Sequence, residues 1–199
     1  MAIGDRQKMI TDIIGVVLNE KPQTDKKFDW FINKHEVEHF KANFNIIDNI
    51  FNSLKGDSNA LINKGKRSLD CDAYFGGEYN FIFEFDEYQH FSSARLKTLE
   101  YYPPNLKLNF SINQWKKHCI ENKTRADKYR KSKTTIDFNF EGGRTAQRAY
   151  LDCFRDLLPQ FHELNPTIRL NEFEVNSINS NNLEAHKIIE RMLKIKLNQ

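Results

Sequence analysis

The chain has 199 residues, of which 39% are hydrophobic and 29% charged, a balance typical of a globular domain. No apolar run approaches the roughly 20 residues that span a bilayer, and the first five residues lack the pattern of a signal peptide. Three cysteines without a Cys-x-x-Cys spacing exclude a disulfide scaffold and a zinc ribbon, and predict a reducing cytoplasm.

The first part of the chain, residues 1–64, is predicted to be a helical region. Apolar residues recur at helical spacing over 10–18, ahead of Pro22. A second helical pattern covers 37–54 and stops at Gly56. This region is expected either to belong to a single domain or to serve as a dimerisation or recognition element.

Residues 65–199 are predicted to form the core of the fold. Two strands, Arg67–Phe75 and Tyr79–Glu87, flank the hairpin signal Gly76-Gly77. The later elements are a basic helix over 111–132, a short strand over Thr135–Phe140, an amphipathic helix over Arg144–Leu158, a strand over Thr167–Val175 and a closing helix over Leu183–Leu197 capped by Asn181 or Asn182. This order predicts an α/β fold with a small mixed β-sheet flanked by helices.

Positive charge is concentrated in one segment. Residues 111–133 carry eight Lys and Arg against two Asp and Glu, a net charge of +6 in a chain whose total is +3. Such a segment fits a surface that binds phosphates. An ordinary solvated helix is the alternative interpretation.

The second predicted strand is the most informative segment. Alternation places its phenylalanines on one face and Glu84 and Asp86 on the other. Two carboxylates about 7 Å apart on an aromatic strand are costly unless a cation offsets their repulsion. The alternative is an edge strand whose second face is in solvent.

The hairpin turn decides whether the first strand adds a third carboxylate. A three-residue turn, Gly76–Glu78, makes Asp72 converge with the two carboxylates of the second strand. A two-residue turn puts Asp72 on the other face, with Glu87 and Gln89 as its partners. The metal-site hypothesis predicts the three-residue turn.

Clustered carboxylates suit Mg²⁺, which binds through one or two of them and keeps several waters that face phosphate oxygens. Mn²⁺ is expected to substitute for it. Because such an ion activates water and stabilises charge on a phosphate, the pattern indicates phosphodiester hydrolysis.

These residues resemble the core of the PD-(D/E)XK nuclease superfamily, which has the restriction-endonuclease-like fold. An Asp on the hairpin followed by a hydrophobic-Glu-hydrophobic-Asp strand is the shared feature. The run Phe83–His90 is similar to the I-E-x-D-G-x-Q-H strand of the very-short-patch-repair-like branch. The stretches Phe85–Phe91 and Gly142–Ala149 resemble "FDExQHF" and "GGRxxQRA" stretches of uncharacterised bacterial proteins. The likeness covers residues 66–175 approximately.

The resemblance implies a Mg²⁺-dependent endonuclease of type II restriction type that cuts double-stranded DNA as a homodimer. By that likeness Asp72 and Glu84 are metal ligands. Asp86, which stands where the superfamily commonly has Lys, binds metal or orders water, and Gln89 or His90 contacts phosphate or relays a proton. The predicted DNA contacts are Arg125, Lys128, Arg144, Gln147 and Arg148. The alternative is a catalytically inactive DNA-binding or defence-associated protein of the same fold.

A second metal motif is present in the N-terminal region. The run His35–His39 fits the H-x-x-E-H pattern of zinc peptidases. Such matches arise by chance in helices that carry His and Glu, so a metallopeptidase is the weaker alternative.

Overall fold

The computed structural model describes residues 4–197. The described residues leave out 1–3 and 198–199. The first of these ranges belongs to the start that was predicted not to be a signal peptide, and the second ends the predicted core. The fold is mixed α/β, with a small three-stranded sheet covered by helices on both faces. The predicted fold class is confirmed at this level.

The helices and strands of the described residues follow in chain order. The helices are α1 (Asp5–Leu18), α2 (Val37–Phe40), α3 (Phe44–Ser53), α4 (Ser58–Asn63), α5 (Ser93–Leu99), α6 (Ile112–Ala126), α7 (Gly143–Leu157) and α8 (Leu183–Leu197). The strands are β1 (Ala73–Phe75), β2 (Phe81–Asp86) and β3 (Asn165–Asn171).

The sheet has the order β1-β2-β3, with β1 antiparallel and β3 parallel to β2. Phe75 pairs with Phe81, so five residues, Gly76–Asn80, connect the two strands. The predicted three-residue turn is therefore wrong. The longer connection nevertheless leaves Asp72 on the same face as Glu84. Ala73 pairs with Phe83, so extending this register by one residue sets Asp72 opposite Glu84.

The first strand is much shorter than predicted. Only Ala73–Phe75 of the expected Arg67–Phe75 pairs with β2. The reason lies at Asp72, whose Oδ2 accepts a hydrogen bond of 2.7 Å from the backbone N–H of Phe85. A side-chain carboxylate thus takes the place of a backbone acceptor, and the ladder ends there.

Both faces of β2 are buried. The three phenylalanines pack with apolar residues of α1 and α8, including Ile10 and Ile189. Ile82 belongs to a second core, built with α7 and residues of the N-terminal region. The alternative of a solvent-facing second face is wrong, since Glu84 is 4% and Asp86 1% exposed.

The helical region 1–64 contributes to both cores. Side chains of α1 lie in the core that it shares with α8, and Phe40 and Phe51 lie in the core around α7. The predicted second helix is interrupted: α2 ends at Phe40, a single 3₁₀ turn follows over Lys41–Asn43, and α3 then begins.

The other predicted elements agree with the structure to different degrees. α7 and α8 are close to their predicted bounds, and the Asn182 side chain accepts from the N–H of Ala185, as an N-cap does. The predicted basic helix ends earlier, at Ala126. No strand forms over Thr135–Phe140 in the described chain, because Thr135 and Phe138 exchange backbone hydrogen bonds and close a tight turn.

Among the helices of residues 4–197, none combines the length and the apolar character that crossing a bilayer requires. All three cysteines are free and buried.

Candidate metal and phosphate site

A polar cavity of about 250 Å³ opens on the acidic face of β2, at the end of the strand. The strand and the turn after it form one wall, and α7 forms another. The lining residues are Gln7, Asp72, Glu84, Phe85, Glu87, Gln89, His90, Arg144, Arg148, Leu151, Asp152 and Arg155. Three of the four predicted catalytic residues therefore meet in one cavity, and the exception is Asp86.

Asp72 and Glu84, the carboxylate pair, face each other at the end of the β1–β2 ladder. Burial raises the pKa of Glu84 to about 8, while Arg155 opposes that rise and Asp72 adds to it. Burial also raises the pKa of Asp72 to about 6, against the hydrogen bond from Phe85. A cation is the partner that such a pair favours, because each carboxylate disfavours the charge of the other.

One oxygen of Glu84 is available to a ligand. Its Oε2 forms an ion pair of 2.7 Å with Nε of Arg155. Its Oε1 is buried and has no hydrogen-bond partner within residues 4–197. A buried polar atom without a partner costs about 1–3 kcal/mol, so this oxygen is typical of a site that a ligand completes.

Asp86 is turned away from the cavity and lies in the core. Its carboxylate accepts hydrogen bonds of 2.7 Å from Nη1 of Arg169 and 2.8 Å from Nε1 of Trp115. The predicted convergence of three carboxylates is therefore wrong for Asp86. An arginine of β3 and an indole of α6 satisfy both of its oxygens, and neither partner is visible in the pattern of the strand itself.

The turn after β2 supplies further oxygen atoms to the cavity. Nε2 of Gln89 donates to Oε2 of Glu87, whereas the buried Oε1 of Gln89 lacks a partner in the described chain. A 3₁₀ turn over Tyr88–His90 bends Gln89 back toward the carboxylate pair. Glu84 from one of the two alternative sets of partners for Asp72, and Glu87 and Gln89 from the other, therefore line the same cavity.

His90 is oriented by a buried carboxylate. Its Nδ1 lies 3.0 Å from Oδ2 of Asp152 on α7. Burial alone would raise the pKa of Asp152, but His90, with Arg169 and Arg95, holds it below its ordinary value. Because an ionised carboxylate only accepts, Nδ1 carries the proton in this contact and Nε2 is left for a ligand in the cavity.

α7 brings two of the predicted DNA contacts to the cavity and turns a third away. Arg144 and Arg148 line it. Gln147 does not, since it accepts from Arg144 and donates to Oδ1 of Asp137 at 3.1 Å. The two remaining predicted contacts, Arg125 and Lys128, are exposed and lie outside the cavity lining.

Sequence reasoning missed Arg155. Besides the ion pair with Glu84, its Nη2 donates to the backbone oxygen of Asp70 at 2.8 Å, and its Nη1 donates to that of Leu151 at 3.1 Å. Arg155 thus ties the segment before Asp72 to the acidic face of β2. Its position on the helix face of Arg148 and Asp152 is the only signal that the sequence offered.

The carboxylate pair fits one divalent ion. Mg²⁺ is commonly held by one or two carboxylates and otherwise by water, which matches the donor set of Asp72 and Glu84 with the amide oxygen of Gln89 nearby. The orphaned Oε1 of Glu84 is the observation that favours this fit. Arg155 opposes it in part, since its guanidinium already neutralises the other oxygen.

The H-x-x-E-H motif does not form a peptidase site. The ring of His35 is buried, with Nδ1 2.6 Å from the hydroxyl of Tyr150. The ligand atoms of Glu36, Glu38 and His39 lie within 4.8 Å of one another, but this group excludes His35. The two histidines of the motif therefore have different surroundings and do not share a ligand position.

We expect Asp72 and Glu84 to make the metal-free protein less stable as the pH rises from about 4.5 to about 8. Three histidines whose pKa values are lowered by burial, His35, His118 and His162, oppose this trend below about pH 6.5, so the contribution of the carboxylate pair is measured by comparison with a variant that lacks Glu84. Asp72 and Glu84 bind protons more tightly in the folded than in the unfolded chain, because their folded pKa values are about 6 and about 8. Their contribution is complete below the unfolded pKa values and lost through the folded ones. Urea unfolding with a chelator at several pH values measures this.

The variant Glu84→Gln should flatten the upper part of that profile. Glu78→Gln, an exposed change in the same hairpin, should leave it unchanged. The lowered pKa values of Asp152 and Asp156 act in the opposite sense but at lower pH, since their contribution is lost only as pH falls below about 3.8. A Glu84→Gln profile that runs parallel to that of wild type up to about pH 8 would contradict the assignment.

Comparison with protein-family models, with curated proteins and with solved structures finds no match for this chain.

Proposed function

We propose that this chain is a divalent-metal-dependent endonuclease of restriction type that hydrolyses phosphodiester bonds in double-stranded DNA. The observation that supports it is one cavity in which the carboxylate pair, with a buried, unpaired oxygen on Glu84, faces the arginines of α7. Cation ligands and phosphate ligands side by side are what metal-assisted phosphodiester hydrolysis needs. A homodimer, cytoplasmic location and Mg²⁺, with Mn²⁺ as substitute, belong to the same proposal.

Each group of side chains has a role in this scheme. Asp72 and Glu84 would hold a divalent ion, which would supply water activation and charge neutralisation at the phosphate. Arg144 and Arg148 bind the phosphate oxygens and hold the strand over the carboxylate pair. His90, held by its contact with the buried Asp152, accepts or returns a proton through Nε2.

A second candidate function is DNA binding without cleavage by a protein of the same fold. The observation that favours it is the ion pair of 2.7 Å between Arg155 and Glu84, in which an arginine neutralises one of the two proposed ligands. In this case the arginines of α7 still bind phosphate, and the carboxylate pair has only a structural role.

The deciding experiment incubates the purified protein with supercoiled plasmid in Mg²⁺, in Mn²⁺ and in EDTA. Matched single-stranded DNA and RNA of the same sequence are included. Nicked or linear plasmid that appears with either metal and is absent in EDTA supports the endonuclease. Binding of the duplex without any cleavage favours the second candidate. Cleavage that persists undiminished in EDTA, or neither binding nor cleavage of any substrate, would refute the proposal.

A further inference from the structure

Two arginines lie against one tyrosine beside the cavity, and a third is close to them. The guanidinium carbons of Arg130 and Arg148 lie 5.3 and 5.2 Å from the centre of the Tyr129 ring. Arg144 lies one turn before Arg148 on α7. Partial burial lowers the pKa of Arg144, and the positive charges of Arg148 and Arg130 lower it further. Arg130, Arg144 and Arg148 are called the arginine cluster below.

No carboxylate forms a close ion pair with the arginine cluster, although the more distant charge of Asp152 acts on Arg144 and opposes the lowering of its pKa. Within residues 4–197, no Asp or Glu oxygen lies within 4.0 Å of any of its nitrogens, whereas the buried Arg95, Arg155 and Arg169 all have such partners. Arg148 donates to the backbone oxygen of Gln89 at 3.3 Å, and the contact of Arg144 is with an uncharged amide. Like charges held together without an anion destabilise the folded chain, so the cluster is complementary to an anion that is not part of the chain.

The fold maintains the arginine cluster at a cost in backbone conformational energy. Arg130 adopts a left-handed conformation with φ of 51°, which is unfavourable for a residue other than glycine by about 1 kcal/mol. The loop that follows is fixed to the start of α7, since the N–H groups of Gly142 and Arg144 donate to the backbone oxygens of Lys131 and Lys133 at 2.7 and 3.0 Å. These bonds hold Arg130 beside the other two arginines.

The cluster lies at the edge of the candidate metal site. Arg144 and Arg148 line the same cavity as the carboxylate pair. On the outer side, the ring of Tyr129 is 6.1 Å from that of Tyr88, which carries the exposed Arg125 at 3.7 Å. A row of guanidinium groups and half-buried tyrosines thus extends from the cavity to the surface, as in proteins that bind nucleic-acid strands.

We propose that Arg130, Arg144 and Arg148 form a phosphate-binding subsite that takes a phosphate group of a nucleic-acid strand and needs no divalent metal. Planar guanidinium groups bind phosphate oxygens through paired, charge-assisted hydrogen bonds. The subsite rests on the proposed function, which already assigns phosphate binding to Arg144 and Arg148. It deepens that function by adding Arg130 and by holding a phosphate whether or not the carboxylate pair cleaves a bond. The occupant is either an internal phosphate of the strand or a terminal one.

The test measures binding in EDTA, where no cleavage is expected. The probes are a short single-stranded oligonucleotide with a 5′-phosphate, the same oligonucleotide with a 5′-hydroxyl, and inorganic phosphate. We expect Arg144→Gln and Arg148→Gln each to weaken oligonucleotide binding by about tenfold or more. Arg191→Gln, an exposed change on α8, is the control and should bind as wild type.

A second readout separates a ligand role from a structural one. Neutralising one arginine relieves the repulsion, so the melting temperature of Arg148→Gln without ligand should equal or exceed that of wild type. Equal binding of both oligonucleotides supports an internal phosphate, and preference for the 5′-phosphate supports a terminal one. The proposal is overturned if both variants bind as wild type, if no probe binds, or if weaker binding comes with a lowered melting temperature in both variants. Metal-free binding without cleavage in Mg²⁺ would retain the subsite and remove the endonuclease.

Discussion

Replacing Glu84 by glutamine should reduce plasmid cleavage by about a thousandfold in Mg²⁺, which corresponds to ~4 kcal/mol of transition-state stabilisation. Glutamine keeps an oxygen that accepts from Arg155 but removes the charge that faces Asp72. The fold should therefore persist while the divalent ion loses a ligand. Initial cleavage rates, together with Mn²⁺ affinity measured by calorimetry, check the change.

The controls for this prediction lie in the same hairpin. Asp72→Asn should lose as much activity as Glu84→Gln, and the double variant should be hardly worse than either, because the two carboxylates act on one ion. Glu78→Gln, exposed in the connection between β1 and β2, should cleave as wild type. Full activity of Glu84→Gln would show that the carboxylate pair is not the metal site.

The sequence was sufficient to predict that Asp72 and Glu84 share a face of the sheet. Alternation along β2 places Glu84 opposite the phenylalanine face, and any odd-numbered hairpin connection puts Asp72 on the same face. The structure uses five residues where three were predicted, and both lengths give that outcome. Side chains alternate with a period of two, so a prediction of which face a side chain occupies survives an error of two residues in turn length. A prediction of its exact partner on the neighbouring strand does not.

The partners of the acidic residues were not predictable in this way. Asp86 is predicted to share a face of β2 with Glu84, yet its charge is neutralised by Arg169, which is 83 positions away in sequence. Arg155 likewise reaches Glu84 from α7. A strand pattern shows which side chains share a face but not which cation lies across from them, since that depends on the packing of elements joined by long crossovers.

Local hydrogen bonds explain the elements that differ from prediction. The stretch Thr135–Phe140 has the composition of a strand, but its backbone groups bond to each other within the turn and Phe138 inserts into the core. Deep burial of one aromatic and the ion pair of Asp137 with Lys64 at 2.6 Å hold it in this form. Composition therefore predicts neither the backbone pairing of this stretch nor the burial of each apolar side chain, since Ile136 beside Phe138 is 73% exposed.

The buried ionic network beneath the cavity connects the site to the core. Arg169 lies at its centre, with Nη1 2.7 Å from Asp86 and Nε 2.8 Å from Asp156. Asp156 also accepts from Arg95 at 2.7 Å and from the hydroxyl of Tyr102 at 2.6 Å. Burial raises the pKa of Asp156, but Arg169 and Arg95 outweigh burial, so that this carboxyl is held below its ordinary value. The network fixes α7 against β3, and α7 carries His90's partner Asp152 and the arginines of the cavity.

Because this network is buried, breaking it should have the largest effect on stability. We expect Arg169→Met to lower the free energy of unfolding by about 3–5 kcal/mol, because it leaves the buried Asp86 without its arginine. The remaining neighbours are the indole of Trp115, which donates at 2.8 Å, and Nδ1 of His90 at 3.6 Å. Urea unfolding at neutral pH measures the loss. Arg191→Met, on the exposed face of α8, should stay within about 0.5 kcal/mol of wild type.

The double variant Arg169→Met with Asp86→Leu should recover at least about half of that loss, because it removes the uncompensated charge together with its partner. If the double variant is as unstable as the sum of the single ones, the pair is not coupled and the network is a set of independent contacts. The variant Asp86→Asn adds a direct test of the corrected ligand set. It should retain Mn²⁺ affinity while losing stability, whereas a loss of affinity as large as that of Glu84→Gln would return Asp86 to the metal site.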